Sequence, residues 1–152
     1  MAYPFSPNEL EEFISRYGYP DIVQLPYNYF DRRFEYILSN LSLNGVKVFS
    51  RSVFLQGLFF LDIEKLSAHF NSIKLELREI QALFHSKSEL AGALLGFVLS
   101  NNNIYQNVIG VNSLEQLKEN IDSISDSLVS RELGIRIDEN VLNPSLWNKS
   151  II

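Results

Sequence analysis

The residues whose side chains are best suited to bind a ligand, Arg51 and Ser52, lie directly after one predicted strand. The stretch GVKVFSRSVFLQGLFF, Gly45 to Phe60, is rich in β-branched and aromatic residues up to Arg51 and is bounded by glycines. This composition is typical of a buried strand in a parallel sheet. Because loops at the carboxyl ends of such strands hold ligands, we expect Arg51, Ser52 and the backbone through Gly57 to bind one. The alternative, common for a lone arginine, is a charge that reaches water.

A second polar residue lies inside an earlier predicted strand. Gln24 belongs to the apolar segment 21–25, which Pro26 closes. A side-chain amide in a buried parallel strand must find hydrogen-bond partners. Two interpretations of Gln24 stay equally open at this point: a structural hydrogen bond, or a contact with a ligand.

Composition argues against several classes of function. The 152 residues are 46% hydrophobic and 20% charged, which predicts a single domain over 1–152. A net charge of −5 without a basic stripe argues against nucleic acid binding. The chain has no cysteine, and we expect His69 and His85 to be surface or packing residues, with no metal site. No apolar run reaches the ~20 residues of a membrane span and the start does not resemble a signal peptide, so we expect a cytoplasmic protein.

Helices and strands alternate through the first half of the chain. The capping box Ser6-Pro7-Asn8-Glu9 predicts a helix that starts at Pro7 and ends at Gly18. After the strand over 21–25, we expect Asp31 to cap a helix that stops near Asn44. The strand that leads to Arg51 follows.

The next segments are predicted to be helical. Apolar residues at steps of three or four between Asp62 and Phe84 predict one long helix or two short ones. Ser86 and Glu89 form a second capping box. It precedes a helix over 90–99, whose alanine and glycine content predicts close packing on a sheet.

The last strand is predicted over 107–111. Ser113 and Gln116 form a third capping box, which predicts a helix from Leu114 to about Leu128. Its spacing predicts that Leu117, Ile121 and Ile124 face inward. The sequence leaves a short helix over 131–137 open, and we expect an irregular end over 143–147.

This order calls for parallel strands joined by right-handed crossovers. A closed eight-stranded barrel needs ~250 residues, so the pattern leaves a small open sheet or half a barrel. The segments PDIVQLPYNYFDRR, GVKVFSRSVFLQGLFF, NVIGVNSLEQLKENID and NPSLW resemble, in order and spacing, the second half of an aldo-keto reductase. That TIM-barrel family reduces carbonyls with a nicotinamide cofactor. The resemblance covers 6–147 and implies an α/β fold, half of a TIM (β/α)8 barrel, with four parallel βα units corresponding to strands five to eight.

The resemblance also implies which residues would hold NADP or NAD. Gln24 would hydrogen-bond the nicotinamide carboxamide, and Arg51 would stand where many members place the ring that stacks on the nicotinamide. Ser52 and the loop through Gly57 would wrap the pyrophosphate. A phosphate and the adenine would lie on the last strand and helix; the residues implied there are Gly110, Asn112, Ser113, Gln116, Glu119 and Asn120. Ser113 can at the same time cap the helix, and Glu119 can lie on a solvated face.

Departures from the family pattern predict weak cofactor binding. Tyr3 and Pro4 occupy the positions of the family's Ser-Asn pair, which grips the carboxamide. Asn112 and Gln116 stand where members selective for the 2′-phosphorylated cofactor carry Lys and Arg. Each charge-assisted hydrogen bond is worth ~1.5 to 3 kcal/mol, so the preference for that cofactor should be largely lost.

The family's proton-transfer residues lie outside the matched half. The Asp, Tyr, Lys and His tetrad belongs to the first half of the barrel, and no tyrosine here falls in the matching context. We therefore predict no catalytic residue and no carbonyl reduction by the isolated chain. The stub before Pro7 departs from the family, which favours a naturally truncated gene.

Open strand edges and an unfilled interior predict association. We expect a homodimer that completes or pairs half-barrels, with Ile22, Val48 and Ile109 gaining from contact with a second copy, or a separate N-terminal half. The alternative function is a non-catalytic module that binds a protein partner through these edges.

Overall fold

A three-stranded parallel sheet lies at the centre of the fold. The structure is a computed structural model that describes residues 1–128 and 131–147. The strands β1 (Ile22–Pro26), β2 (Lys47–Arg51) and β3 (Gln106–Asn107) lie in the order β1-β2-β3, all parallel. The predicted parallel α/β architecture is confirmed. Of the four strands implied by the resemblance, the first is reduced among the described residues to one bridge, in which the Ala2 N–H donates to the Ile22 carbonyl at 3.0 Å.

The sheet buries one face and leaves the other open. Val23 and Val48 are paired in register and fully buried in the core. Gln24 and Phe49 are likewise paired in register, but both are partly exposed. Because side chains alternate between faces along a strand, the core lies on the first side of the sheet and the second side is only partly covered.

Six α-helices are present in the described part of the chain, and three of them begin at the predicted capping boxes. Ser6, Ser86 and Ser113 each accept a hydrogen bond from the backbone N–H three residues on, at 3.3, 3.1 and 3.1 Å. These contacts confirm the three predicted capping boxes, but α4 begins at Lys87 and not at Leu90 as predicted. The helices are α1 (Pro7–Tyr17), α2 (Glu35–Leu43), α3 (Lys74–Ala82), α4 (Lys87–Leu99), α5 (Leu114–Asp122) and α6 (Glu139–Leu142).

The segment between Asp62 and Phe84 contains one short α-helix, α3, so the prediction of one long helix or two short ones is wrong. The segment begins with two 3-10 turns, Ile63–Lys65 and Ala68–Ile73, which precede α3. Between them Leu66 and Ser67 are extended, with ψ of 133° and 169°. Apolar residues three apart also share a face in a 3-10 turn, which is why the sequence pattern did not distinguish the two.

Two other predicted boundaries are wrong. α2 begins at Glu35 and not after a cap at Asp31, because the Asp31 carboxylate is occupied by the Arg33 side chain at 2.9 Å. The described part of 131–137 forms no helix, and α6 begins only at Glu139.

The last predicted strand and helix are both shorter than expected. β3 ends at Asn107, and α5 ends at Asp122, where the Ser123 hydroxyl donates to the Glu119 carbonyl at 2.6 Å. Ile121 and Ile124 are 54% and 41% exposed, so the inward orientation predicted for them is wrong, whereas Leu117 is partly buried. The backbone after α5 lies directly on α4, with Ser123 against Gly92 and Ser125 against Gly96.

We expect the Tyr27 phenol to make stability fall above pH 10. Its hydroxyl donates to Glu35 at 2.9 Å and accepts from Asn101 at 3.1 Å. Burial raises the pKa of Tyr27 to about 12. Below pH 10 the phenol is protonated whether the chain is folded or not; between pH 10 and 12 only the unfolded chain loses the proton, so unfolding is favoured by about 1 kcal/mol at pH 11.

Urea unfolding at pH 8 and pH 11 checks this pH dependence. Tyr27→Phe should lose less stability between the two values than the wild type. Equal losses would show that Tyr27 does not titrate as its burial requires.

Candidate cofactor site

Two predicted site residues lie together at the carboxyl end of β2. Arg51 Nη1 is 3.4 Å from Ser52 Oγ, and the Arg51 guanidinium lies 5.4 Å from the centre of the Phe5 ring. Burial lowers the pKa of Arg51, although the charge of Asp31 opposes this. Arg51 forms no salt bridge with any carboxylate in 1–128 or 131–147. A partly desolvated cation without a counterion favours an anionic ligand.

A cavity of about 190 Å³ opens at Arg51 and Ser52. A second guanidinium, Arg33, also lines it, but Arg33 is paired with Asp31 at 2.9 Å and with Glu139 at 2.7 Å. Arg51 therefore supplies the uncompensated positive charge. The other lining residues are Phe5, Pro26, Gln56, Leu142, Asn143, Pro144 and Ser145.

The loop from Ser52 to Gly57 has an unusual backbone. Ser52, Leu55 and Gln56 have φ values of 61°, 44° and 54°, and Gly57 has 83°. A non-glycine residue in this region costs ~1 to 3 kcal/mol, and such strain concentrates at ligand clamps. Asn28, fully buried, donates to the Ser52 carbonyl at 3.0 Å and so ties the loop to the end of β1.

Gln24 lies on the open face of the sheet, in register with Phe49. Its backbone N–H donates to the Ala2 carbonyl at 2.9 Å, and its side chain makes no hydrogen bond within the described residues. The structural hydrogen bond, one of the two interpretations of Gln24, is therefore not present there. The Gln24 side-chain amide therefore has no partner among the described residues, and it lies on the same side of the sheet as Arg51.

The second predicted group lies after β3, around the first turn of α5. Asn112 N–H donates to Gln116 Oε1 at 2.8 Å, and Gln116 N–H donates to Ser113 Oγ at 3.1 Å. These three residues, like Gly110, are exposed, and their mutual contacts are those of a helix cap. No described contact joins them to Arg51. Since β3 pairs with β2, the two groups follow neighbouring strands.

Asn120 differs from the rest of that group. It is 5% exposed, and its Nδ2 has no acceptor within the described structure. The adjacent Glu119 is exposed, and its carbonyl accepts from Ser88 Oγ at 3.3 Å. Because Asn120 Nδ2 is closed to solvent, a ligand bound at the surface does not reach it, and the unpaired amide costs ~1 to 3 kcal/mol.

Several lining residues could not be found from the sequence. Phe5, Arg33 and Ser145 reach the cavity from distant parts of the chain, and only the proximity of Asp31 and Arg33 in FDRR hinted at an ion pair. Tyr3 is 57% exposed and Pro4 is buried. A larger cleft of about 880 Å³ contains none of the predicted site residues; its charged lining is Arg32, Arg33, Glu132, Arg136, Asp138 and Glu139.

The two histidines make ordinary contacts. His69 Nε2 lies 3.1 Å from the Asn140 carbonyl, and its ring packs on Phe70. His85 is exposed. Among residues 1–128 and 131–147, no three histidine or carboxylate side chains gather as metal ligands would. Within the same ranges, no helix combines the length and apolarity that crossing a bilayer requires.

The fold is similar to solved aldo-keto reductase structures. An aldo-keto reductase from Bacillus halodurans in its holo form superposes with a TM-score of 0.63 at 17% identity, over 99% of this chain and 52% of that chain. The chain therefore has the fold of part of an aldo-keto reductase, and it spans about half the length of the solved structures that it matches. The apo form of the same enzyme gives the same TM-score and identity, over 53% of its chain.

A thermostable aldo-keto reductase in complex with the inhibitor epalrestat gives a TM-score of 0.54 at 24% identity, over 84% of this chain and 44% of that chain. The resemblance predicted from the sequence is thus confirmed at the level of the fold. Neither family models nor curated proteins show a match to this sequence.

Proposed function

We propose that this chain is the dinucleotide-binding half of an aldo-keto reductase-like protein and does not reduce carbonyls alone. The strained loop from Ser52 to Gly57 carries this proposal, because it lies beside the uncompensated Arg51 at the carboxyl end of β2. In folds with parallel strands this end holds the ligand. The solved structures compared above are aldo-keto reductases, one of them in a holo form.

The free polar groups fit a nicotinamide dinucleotide. Arg51 and Ser52 would bind phosphate oxygens, and Gln24 would bind the carboxamide. Each of these side chains has hydrogen-bonding capacity that the described residues leave unused. When bound, the nicotinamide supplies a hydride; the chain's own part is to hold and orient it.

The charges near α5 favour NAD over NADP. Gln116 is occupied in the helix cap, and Glu115 in the first turn would repel a 2′-phosphate. We expect NADH to bind at least as tightly as NADPH.

Three of the seven tyrosines, Tyr27, Tyr29 and Tyr105, are not placed as a general acid at this site. Tyr27 and Tyr29 are buried, at 1% and 0% exposure. Tyr105 has Lys47 Nζ 5.0 Å from its ring centre, but this pair lies at the start of β2 and β3, at the opposite end of the sheet from the cavity. These three tyrosines are therefore not placed to donate a proton to a carbonyl oxygen in the cavity.

Titration of NADH, followed by its fluorescence, tests the proposal. We expect saturable binding, weakened about 5-fold to 10-fold by Gln24→Ala, since one hydrogen bond is worth ~1 kcal/mol. Asn71→Ala, at an exposed position on the outer layer, is the matched control and should bind as the wild type does. The same samples should not oxidise NADH or NADPH with a panel of aldehydes.

The non-catalytic interaction module remains the second candidate. It is favoured by α5, whose Leu114 and Ile121 are 59% and 54% exposed. Absence of saturable binding by the wild type would favour this candidate. Turnover above background would instead contradict the inactivity proposed here.

A further inference from the structure

The partly exposed side of the sheet is positively charged and aromatic. Register places Gln24, Phe49 and Gln106 on this side, in one row across the three strands. Lys47 and Arg51 flank Phe49 at alternate positions of β2 and therefore share its side. We call this surface the open sheet face; it consists of Gln24, Lys47, Phe49, Arg51 and Gln106, with the Phe5 and Tyr105 rings against it.

Both cations of the open sheet face contact rings and no carboxylate. Lys47 Nζ lies 5.0 Å from the Tyr105 ring centre, and the Arg51 guanidinium lies 5.4 Å from that of Phe5. Neither forms a salt bridge within residues 1–128 and 131–147. The whole chain carries a net charge of −5, so this face differs in sign from the rest of the molecule.

The borders of the face have the properties of an interface. On one side β3 has no further strand paired to it among the described residues, and α5 exposes Leu114 and Ile121. On the other side the Ala2 bridge ends the sheet, and α1 exposes Tyr17 to 74%. Open strand edges next to exposed apolar helix faces are surfaces that proteins normally cover.

Charge decides between the partners that would cover this face. A second copy would enclose two Lys47 and two Arg51 side chains in one interior without a carboxylate, and buried unpaired charge is strongly unfavourable. We propose that the open sheet face docks a parallel α/β sheet of different sequence, with carboxylates opposite Lys47 and Arg51, and not a second copy of this chain. This inference rests on the aldo-keto reductase-like half-fold of the proposed function but not on dinucleotide binding.

A charge-reversed form of the chain itself is the probe. Lys47→Glu/Arg51→Glu presents the same sheet with two carboxylates, and circular dichroism checks that it folds. By light scattering at micromolar concentration, each protein alone should have the 17.5 kDa monomer mass, whereas their equimolar mixture should form a species of twice that mass. Raising the salt concentration should weaken the mixed species.

Lys65→Glu/Lys87→Glu is the matched control, because it makes the same change in charge at exposed positions outside this face. Mixed with the wild type it should stay monomeric. If the double variant at Lys47 and Arg51 does not fold, Lys47→Glu alone, with one charge of each sign on its face, should self-associate at least about tenfold more tightly than the wild type.

Two results would overturn the inference. One is a wild type that is dimeric by itself, which would make the second copy the occupant. The other is a folded charge-reversed variant that does not associate with the wild type. Both are independent of the NADH titration, so failure of this inference is distinguishable from failure of dinucleotide binding.

Discussion

Gly92→Ala is expected to lower the free energy of unfolding by about 3 kcal/mol, at the upper end of the usual cost of overpacking. A Cβ at Gly92 would overlap the Ser123 backbone carbonyl and lie 2.7 Å from Ser123 Oγ. The obstacle is backbone, which cannot rotate away as a side chain can. Ser125 N–H also donates to the Gly92 carbonyl at 3.3 Å, so relief of the overlap would strain this hydrogen bond. The gain in helix propensity from glycine to alanine, ~1 kcal/mol, is smaller than this cost.

Urea unfolding of wild type and Gly92→Ala at pH 7 measures the effect. Gly134→Ala is the control, since a Cβ there would have nothing within 4 Å and the backbone is not in the left-handed region. It should change the free energy of unfolding by less than ~0.5 kcal/mol. A Gly92→Ala protein as stable as the control would show that the segment after α5 does not lie on α4.

The small residues of α4 show how far composition could predict packing. The alanines and glycines correctly predicted close approach, but a sheet was expected as the neighbour. At Gly92 and Gly96 the neighbours are the backbones of Ser123 and Ser125. A glycine specifies that something approaches closely, whereas the identity of the neighbour is set by tertiary contacts that no local pattern records.

The capping boxes were predictable because their contacts are local. Each serine and its partner stand three residues apart, so the sequence contains the whole interaction. The inward orientation predicted for Ile121 and Ile124 depended instead on where α5 meets α4. Periodicity can show that a helix has an apolar face, but it cannot show which part of that face remains uncovered.

The residues of the candidate site also divide into those whose position the sequence could predict and those whose position it could not. The position of Arg51 and Ser52 at the carboxyl end of β2 was predictable from the sequence, because the apolar strand pattern stops there. Other residues that line the cavity, from Asn143 to Ser145, are distant from them in the sequence. The strained backbone at Leu55 and Gln56 also could not be predicted from the sequence, since neither residue type favours a positive φ.

Asp31 was predicted to be a helix cap and instead forms a buried ion pair next to this cavity. The carboxylate is fully buried, and Arg33 donates to it from Nε and Nη2, both at 2.9 Å. These hydrogen bonds are the main cause that raises the pKa of Arg33. Arg33 also pairs with Glu139 at 2.7 Å, so Asp31 orients the cation that holds α6 beside the cavity.

Asp31→Asn is expected to lower the free energy of unfolding by about 3 kcal/mol, at the lower end of the cost of breaking a buried ion pair. The lower end applies because the Arg33 side chain is 22% exposed and keeps Glu139. Arg33→Met in the same chain removes the stranded cation, so Asp31→Asn/Arg33→Met should be more stable than Asp31→Asn alone.

Urea unfolding of these variants measures the coupling between the two side chains. Glu64→Gln is the matched control, since it makes the same kind of change in the exposed pair with Arg78, whose side chains are 79% and 55% exposed. An exposed pair contributes at most ~1 kcal/mol, so this variant should stay close to the wild type. Equal effects of Asp31→Asn and Glu64→Gln would mean that burial does not strengthen the Asp31 pair, and that Arg33 reaches Glu139 without its help.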